Sequence, residues 1–215
     1  MGGRGQISPL LEKPKNPIWS SSNLGPKIGS NLKEALGERG APLSIGVATT
    51  GANPNYLPDY KEYSMNCQRC VVAYEMRRRG YDVTALYTFK GDRQSKTYFG
   101  QNGIFYGAFR HTKVERVGGP QVKSTIKNIE NKMSGFGDGS RAIIEVQWKN
   151  KKAGHVFSVE NHHGKTVYVD AQTGEHVSIG NYLSRAKLSS VKITRTDNLR
   201  PSYRMREMVI PNRKR

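Results

Sequence analysis

An α+β fold, with a helix that carries a nucleophile packed on an antiparallel sheet, is predicted by three stretches of this sequence of 215 residues. The first is a helix opening at Asn66-Cys67. The second is an amphipathic helix after Pro120, and the third a run of strands between Arg141 and Thr196.

The first helix is bounded by its own residue types. Asn66 is a suitable N-cap, Gly80 a suitable stop, and Glu75 stands four residues before Arg79. About three turns are expected, followed by a strand from Tyr81 to Phe89. The stretch up to Gly119 reads as loop, with Ile104-Phe105-Tyr106 as a short strand. In the second helix Val122, Ile126, Ile129 and Met133 share one face at helical spacing, and Gly135, Gly137 and Gly139 end it.

From Arg141 to Trp148 the pattern changes to period two, which puts Ile144, Val146 and Trp148 on one face of a strand. His155–Glu160 and Lys165–Asp170 then read as the arms of a hairpin around Asn161-His162-His163-Gly164. Asn181 to Lys187 suits a short helix and Val191 to Thr196 a last strand.

Outside this core the composition changes. Residues 1–57 read as an extended Pro- and Gly-rich basic arm, 58–199 as the folded domain and 200–215 as a basic tail. Within the arm only Gly29–Gly37 looks helical, with Ser30 as cap and Gly37 as stop. Ile18, Trp19 and Leu36 are the apolar residues available to pin it to a neighbour.

The 35 Lys and Arg residues against 17 Asp and Glu give a formal charge of +18. Such an excess favours acidic partners: nucleic acid or another polyanion, bound through the basic arms. The cations are scattered along the chain and no nucleic-acid-binding motif is visible, so a bland affinity for polyanions is expected rather than sequence reading. No apolar run is long enough for a membrane span, and the N-terminus lacks the apolar segment of a signal peptide. Localisation stays open. Two cysteines three apart do not make a disulfide framework, and a reducing compartment is the default.

The chemistry gathers on three residues. If Asn161 pairs with Gly164 in the hairpin, His155 lies directly across from Asp170, with Cβ atoms roughly 4.5–5.5 Å apart. The carboxylate then fixes the imidazole tautomer and leaves the other ring nitrogen as a base. Cys67, just after the N-cap, lies in the field of the helix N-terminus, which together with a protonated His155 favours thiolate. The unpaired N–H groups of the first turn can stabilise an oxyanion, as acyl transfer requires. Cys70 is the rival nucleophile, and helix-start geometry favours Cys67.

Cys67-Gln68-Arg69-Cys70 has two other readings. With His162 and His163 it could complete a tetrahedral zinc set. As a CxxC at a helix start it could be a redox pair, although no matching strand order with a proline loop is found. Acyl transfer by a thiol needs no cofactor or metal, and none is expected.

Asn66-Cys67-Gln68-Arg69-Cys70, Gly154-His155-Val156-Phe157 and Val169-Asp170-Ala171-Gln172-Thr173-Gly174, in this order, resemble the papain-fold toxin (Tox-PL) family. The resemblance covers about residues 60 to 180. That family includes glutamine deamidase effectors and papain-like domains of bacterial polymorphic toxins and phage head proteins. It implies a papain-like fold, with Cys67 as nucleophile, His155 as general base and acid, Asp170 as its orienter and Gln172 as a nearby polar residue. It also implies a cysteine hydrolase acting on a glutamine carboxamide or a peptide bond of a protein substrate, with toxin-delivery or phage head proteins as partners. The alternative is a virion structural protein that keeps the fold as a packing module and uses its basic arms to bind nucleic acid or neighbouring subunits.

Overall fold

A computed structural model describes residues 29–89 and 104–212. Its helices are α1 (Leu32–Leu36), α2 (Ile45–Ala52), α3 (Lys61–Ser64), α4 (Cys67–Arg78), α5 (Ile104–Gly107), α6 (Val122–Phe136) and α7 (Ile179–Arg185). The strands are β1 (Val83–Ala85), β2 (Val114–Arg116), β3 (Arg141–Gln147), β4 (Gly154–His162), β5 (Lys165–Asp170), β6 (Glu175–His176), β7 (Lys192–Arg195) and β8 (Val209–Pro211). Among the described residues β2-β7-β3-β4-β5-β6 form one antiparallel sheet, and β1 pairs with β8 in a small second one.

The sheet separates two apolar clusters. Ile144, Val146, Phe157 and Val159 face α6 and α7, whereas Ile143, Val156 and Val169 face α4. The period-two pattern of β3 therefore marks only one of two buried faces, because β3 is an inner strand covered on both sides. Each large aliphatic or aromatic side chain buried in these layers contributes roughly 1.5–3 kcal/mol.

Helix α4 is enclosed all round: every residue from Cys67 to Arg77 is buried. Its polar side chains are satisfied inside. The Glu75 carboxylate accepts from Arg79 (2.6 Å) and Arg141 (2.9 Å). Glu160 accepts from Arg78 (2.7 Å) and from the Tyr74 hydroxyl (2.6 Å). Arg77 pairs with Asp82 at 2.7 Å. Part of the basic excess is thus spent on holding the core helix rather than displayed. Gly80 ends the helix at φ +95°, where a Cβ would stand 2.2 Å from the Gly40 carbonyl oxygen. Glycine is required there on both counts.

Several expectations change. The stretch 29–57, read as part of an extended arm, folds onto α4, with Leu36, Ala48 and Ala52 in its core. The Gly and Pro content that suggested an arm here bounds short helices instead. Residues 1–28, including Ile18 and Trp19, lie outside the described residues. The segment 200–212, read as a basic tail, buries Met205, Met208 and Val209 and contributes β8. In α1 the cap is Asn31, whose side chain accepts from the Glu34 N–H, not Ser30. Ile104–Tyr106 is helical, burying Phe105 beside α4. The strand expected from Tyr81 to Phe89 is limited to β1, because only there does β8 supply a partner.

Candidate active site

His155 opens β4 and Asp170 closes β5, so both stand at the same end of the sheet. The β4–β5 register differs from expectation by two residues: His162 pairs with Lys165 and Ser158 with Val169. The cause is a two-residue turn centred one residue later than expected, with His163 (φ 53°) and Gly164 (φ 76°) both left-handed, as a hairpin loop of this twist demands. Asp170 is then a diagonal rather than a direct neighbour of His155. A shift of two keeps the face, and the His155 Nε2–Asp170 Oδ2 distance is 2.7 Å.

Asp170 is the acceptor for three groups. Oδ2 receives His155 Nε2 and the Tyr182 hydroxyl (2.7 Å), and Oδ1 receives the Gln172 N–H (2.9 Å). Burial alone would raise its pKa. The hydrogen bond and charge of His155, then Tyr182 and the Gln172 N–H, hold it below the ordinary carboxylate value.

Cys67, at the first position of α4, lies close enough to His155 to act on its imidazole. With Nε2 committed to Asp170, Nδ1 is the ring nitrogen left for the thiol. Burial would push the imidazole pKa down, but the hydrogen bond to Asp170, then the nearby Cys67 and the charges of both, outweigh it, raising it to about 10. The balance favours the protonated ring. Cys67 thus stands beside the hydrogen-bonded His155–Asp170 pair.

Asn66 occupies the N-cap position but its side chain does not cap the helix. Its Oδ1 accepts from Gln172 Nε2 (3.2 Å) and the Cys70 thiol (3.2 Å), and its Nδ2 donates to the Leu86 carbonyl (3.2 Å) and Asn53 Oδ1 (3.2 Å). Asn53 Nδ2 in turn donates to the Gln172 carbonyl at 2.9 Å. This buried lattice ties the start of α4 to the segment after β5, and so ties the thiol to the His–Asp pair. It also leaves the backbone N–H groups of Cys67 and Gln68 uncapped by Asn66. Cys70 faces the interior, fully buried, and burial raises its thiol pKa well above the ordinary value.

Neither rival reading of the CxxC is supported by the arrangement. His162 and His163 are exposed on the β4–β5 turn, whereas both cysteines are buried and free. Among the described residues, no cluster of three or more His, Cys, Asp and Glu is placed to hold a metal ion.

A cleft of about 520 Å³ opens onto His155, Asp170 and Gln172. The Trp148 ring stacks over His155 at 6.0 Å and 16°, and Tyr182 lies 5.7 Å from it. Trp148 was expected on the face of Ile144 and Val146, but no role at the site was legible for it. Tyr182, on α7, was missed entirely, because only the packing of α7 on the sheet brings its hydroxyl to Asp170. Thr173 also lines the cleft, and its Oγ1 is buried without a hydrogen-bond partner among the described residues.

A thiol at the head of a buried helix, set against an imidazole and a carboxylate on an antiparallel sheet, defines a papain-like cysteine hydrolase. Comparison with known families agrees: residues 65–175 match the model of papain fold toxin 1, glutamine deamidase. The chain belongs to this family. It is thus a toxin-type cysteine hydrolase of the deamidase class, whose substrate is protein. No curated protein and no solved structure matches it. No helix among the described residues is long and apolar enough to cross a membrane.

Proposed function

We propose that the enzyme hydrolyses the side-chain carboxamide of a protein glutamine to glutamate, with Cys67 as nucleophile, His155 as acid and base, and Asp170 as the group that orients His155. The observation that carries this reading is His155 hydrogen-bonded to Asp170 at 2.7 Å and standing near Cys67 at the head of α4. The Cys67 thiolate attacks the carboxamide carbon, and the uncapped N–H groups at the head of α4 hold the resulting oxyanion. As the intermediate collapses the C–N bond breaks, and His155 gives its Nδ1 proton to the departing ammonia. Neutral His155 then takes a proton from water, hydroxide attacks the thioester, and glutamate leaves as the thiol–imidazole pair is restored.

The test is ammonia release from glutamine-containing proteins by the full chain with reduced thiols, with mass analysis of the product. Amide-to-acid conversion that is lost in Cys67→Ala supports the reading. Chain cleavage would make the enzyme a protease, and amine incorporation a transglutaminase. A folded chain that attacks no carbonyl would return it to a packing role in a virion.

A further inference from the structure

The cleft carries a charge that the hydrolysis itself does not use. Lys149, Lys151 and Arg185 line it together with Trp148, Tyr182 and His155. All three cations are exposed, and among the described residues none forms an ion pair with a carboxylate. This contrasts with the arginines of α4, which are paired inside. Asp170, the acidic residue of the lining, is committed to His155 and Tyr182. Glu175 on β6 lies close enough to act on Tyr182, but it is not part of the cleft wall.

Two of these cations, Arg185 and Lys149, are also held in place. The Arg185 guanidinium lies 5.3 Å over the Trp148 ring and 5.4 Å over the Tyr182 ring, the same two rings that pack on His155. Its Nε donates to the Asn181 carbonyl (3.3 Å), and Lys149 Nζ donates to the Ser184 carbonyl (2.8 Å). Stacking fixes the guanidinium plane and leaves its remaining edge for a carboxylate, which a planar fork receives in bidentate fashion.

We propose that the cleft selects glutamines flanked by acidic residues, with Lys149, Lys151 and Arg185 receiving the flanking carboxylates of an extended acidic segment. This rests on the deamidase reading for the identity of the central residue. A polypeptide is favoured over nucleic acid because the cations line the same cleft as His155 and Asp170, in an enzyme whose substrate is protein.

The test uses fluorescently labelled short peptides with a central glutamine, flanked either by aspartates or by lysines. Binding to the full-length Cys67→Ala chain is followed by anisotropy at fixed salt. Tighter binding of the acidic peptide is expected, weakened about three- to tenfold by Lys151→Glu and by Arg185→Glu. Lys33→Glu, on α1 against β8 and away from the cleft elements, should leave it unchanged. Equal affinity for the two peptides overturns the proposal, as does an equal loss in Lys33→Glu, which would mark a general effect of net charge. Tighter binding of an oligonucleotide of matched charge also overturns it. Hydrolysis is measured separately with wild type. An acidic peptide that binds in the expected way but releases no ammonia refutes the deamidase reading and leaves the charge preference standing.

Discussion

Replacing Asp170 with Asn removes one charge and almost no volume, and every contact it alters is known. The carboxylate is acceptor-only and meets three donors: His155 Nε2, the Tyr182 hydroxyl and the Gln172 N–H. An Asn carboxamide has one acceptor oxygen, so its NH2 group must face at least one of these donors. Each buried polar group left unpaired costs about 1–3 kcal/mol, so a loss of roughly 2–4 kcal/mol in unfolding free energy is expected. The chemical effect is larger. Asp170 supplies the strongest of the influences that raise His155, against burial, to about 10. Without it, burial draws the imidazole pKa back down. Because the folded value in the wild type is raised, the ring keeps its proton through neutral pH and loses it as pH rises through about 10. In Asp170→Asn it is neutral over most of that window. Nitrogen NMR of the His155 ring across this range reads the difference directly. Turnover should fall by about 10²–10⁴, through loss of tautomer control and of the proton that His155 delivers. A folded Asp170→Asn chain that keeps its rate within about fivefold of wild type, with an unchanged His155 titration, would refute the assigned role.

Cys70→Ala should retain hydrolysis and lose about 1–2 kcal/mol in a urea melt, since it removes a small buried group and one hydrogen bond to Asn66. Iodoacetamide at neutral pH should label Cys67 fast in that variant, and slowly once His155→Ala is added; fast labelling of Cys70 in Cys67→Ala would reverse the assignment. Tyr182→Phe keeps the ring packing but deletes a donor to Asp170, so a fall in kcat of about three- to thirtyfold with little change in KM is expected from steady-state kinetics. Glu75→Gln leaves Arg79 and Arg141 without their shared carboxylate, and the urea midpoint should report about 3–5 kcal/mol lost. A loss below about 1 kcal/mol would mean that the backbone carbonyls around Arg79 suffice alone.

Local signals made the elements legible. Helix α4 begins after Asn66 and ends before Gly80, and α6 follows its apolar spacing. The hairpin period put His155 and Asp170 on one face even though the turn falls one residue later than expected, because the resulting register shift of two leaves the face unchanged. The packing of 29–57 and 200–212 was not legible. Short helices rich in Gly, Ala and Thr, and a three-residue strand, carry weak periodicity and owe their order to α4 and β1, which they cover.

The sequence by itself determined that Cys67 starts a helix and that His155 and Asp170 share one face of a hairpin, since residue type, helix start and strand period are local properties. Tertiary structure decided how the site is held. Asn66 turns away from capping because Asn53 and Gln172, far apart in the chain, meet it in the interior. Tyr182 reaches Asp170, and Trp148 covers His155, only because α7 and the end of β3 converge on the same edge of the sheet. Contacts between elements distant in sequence leave no periodic trace, and so the support and charge of the cleft emerge only when the layers are packed.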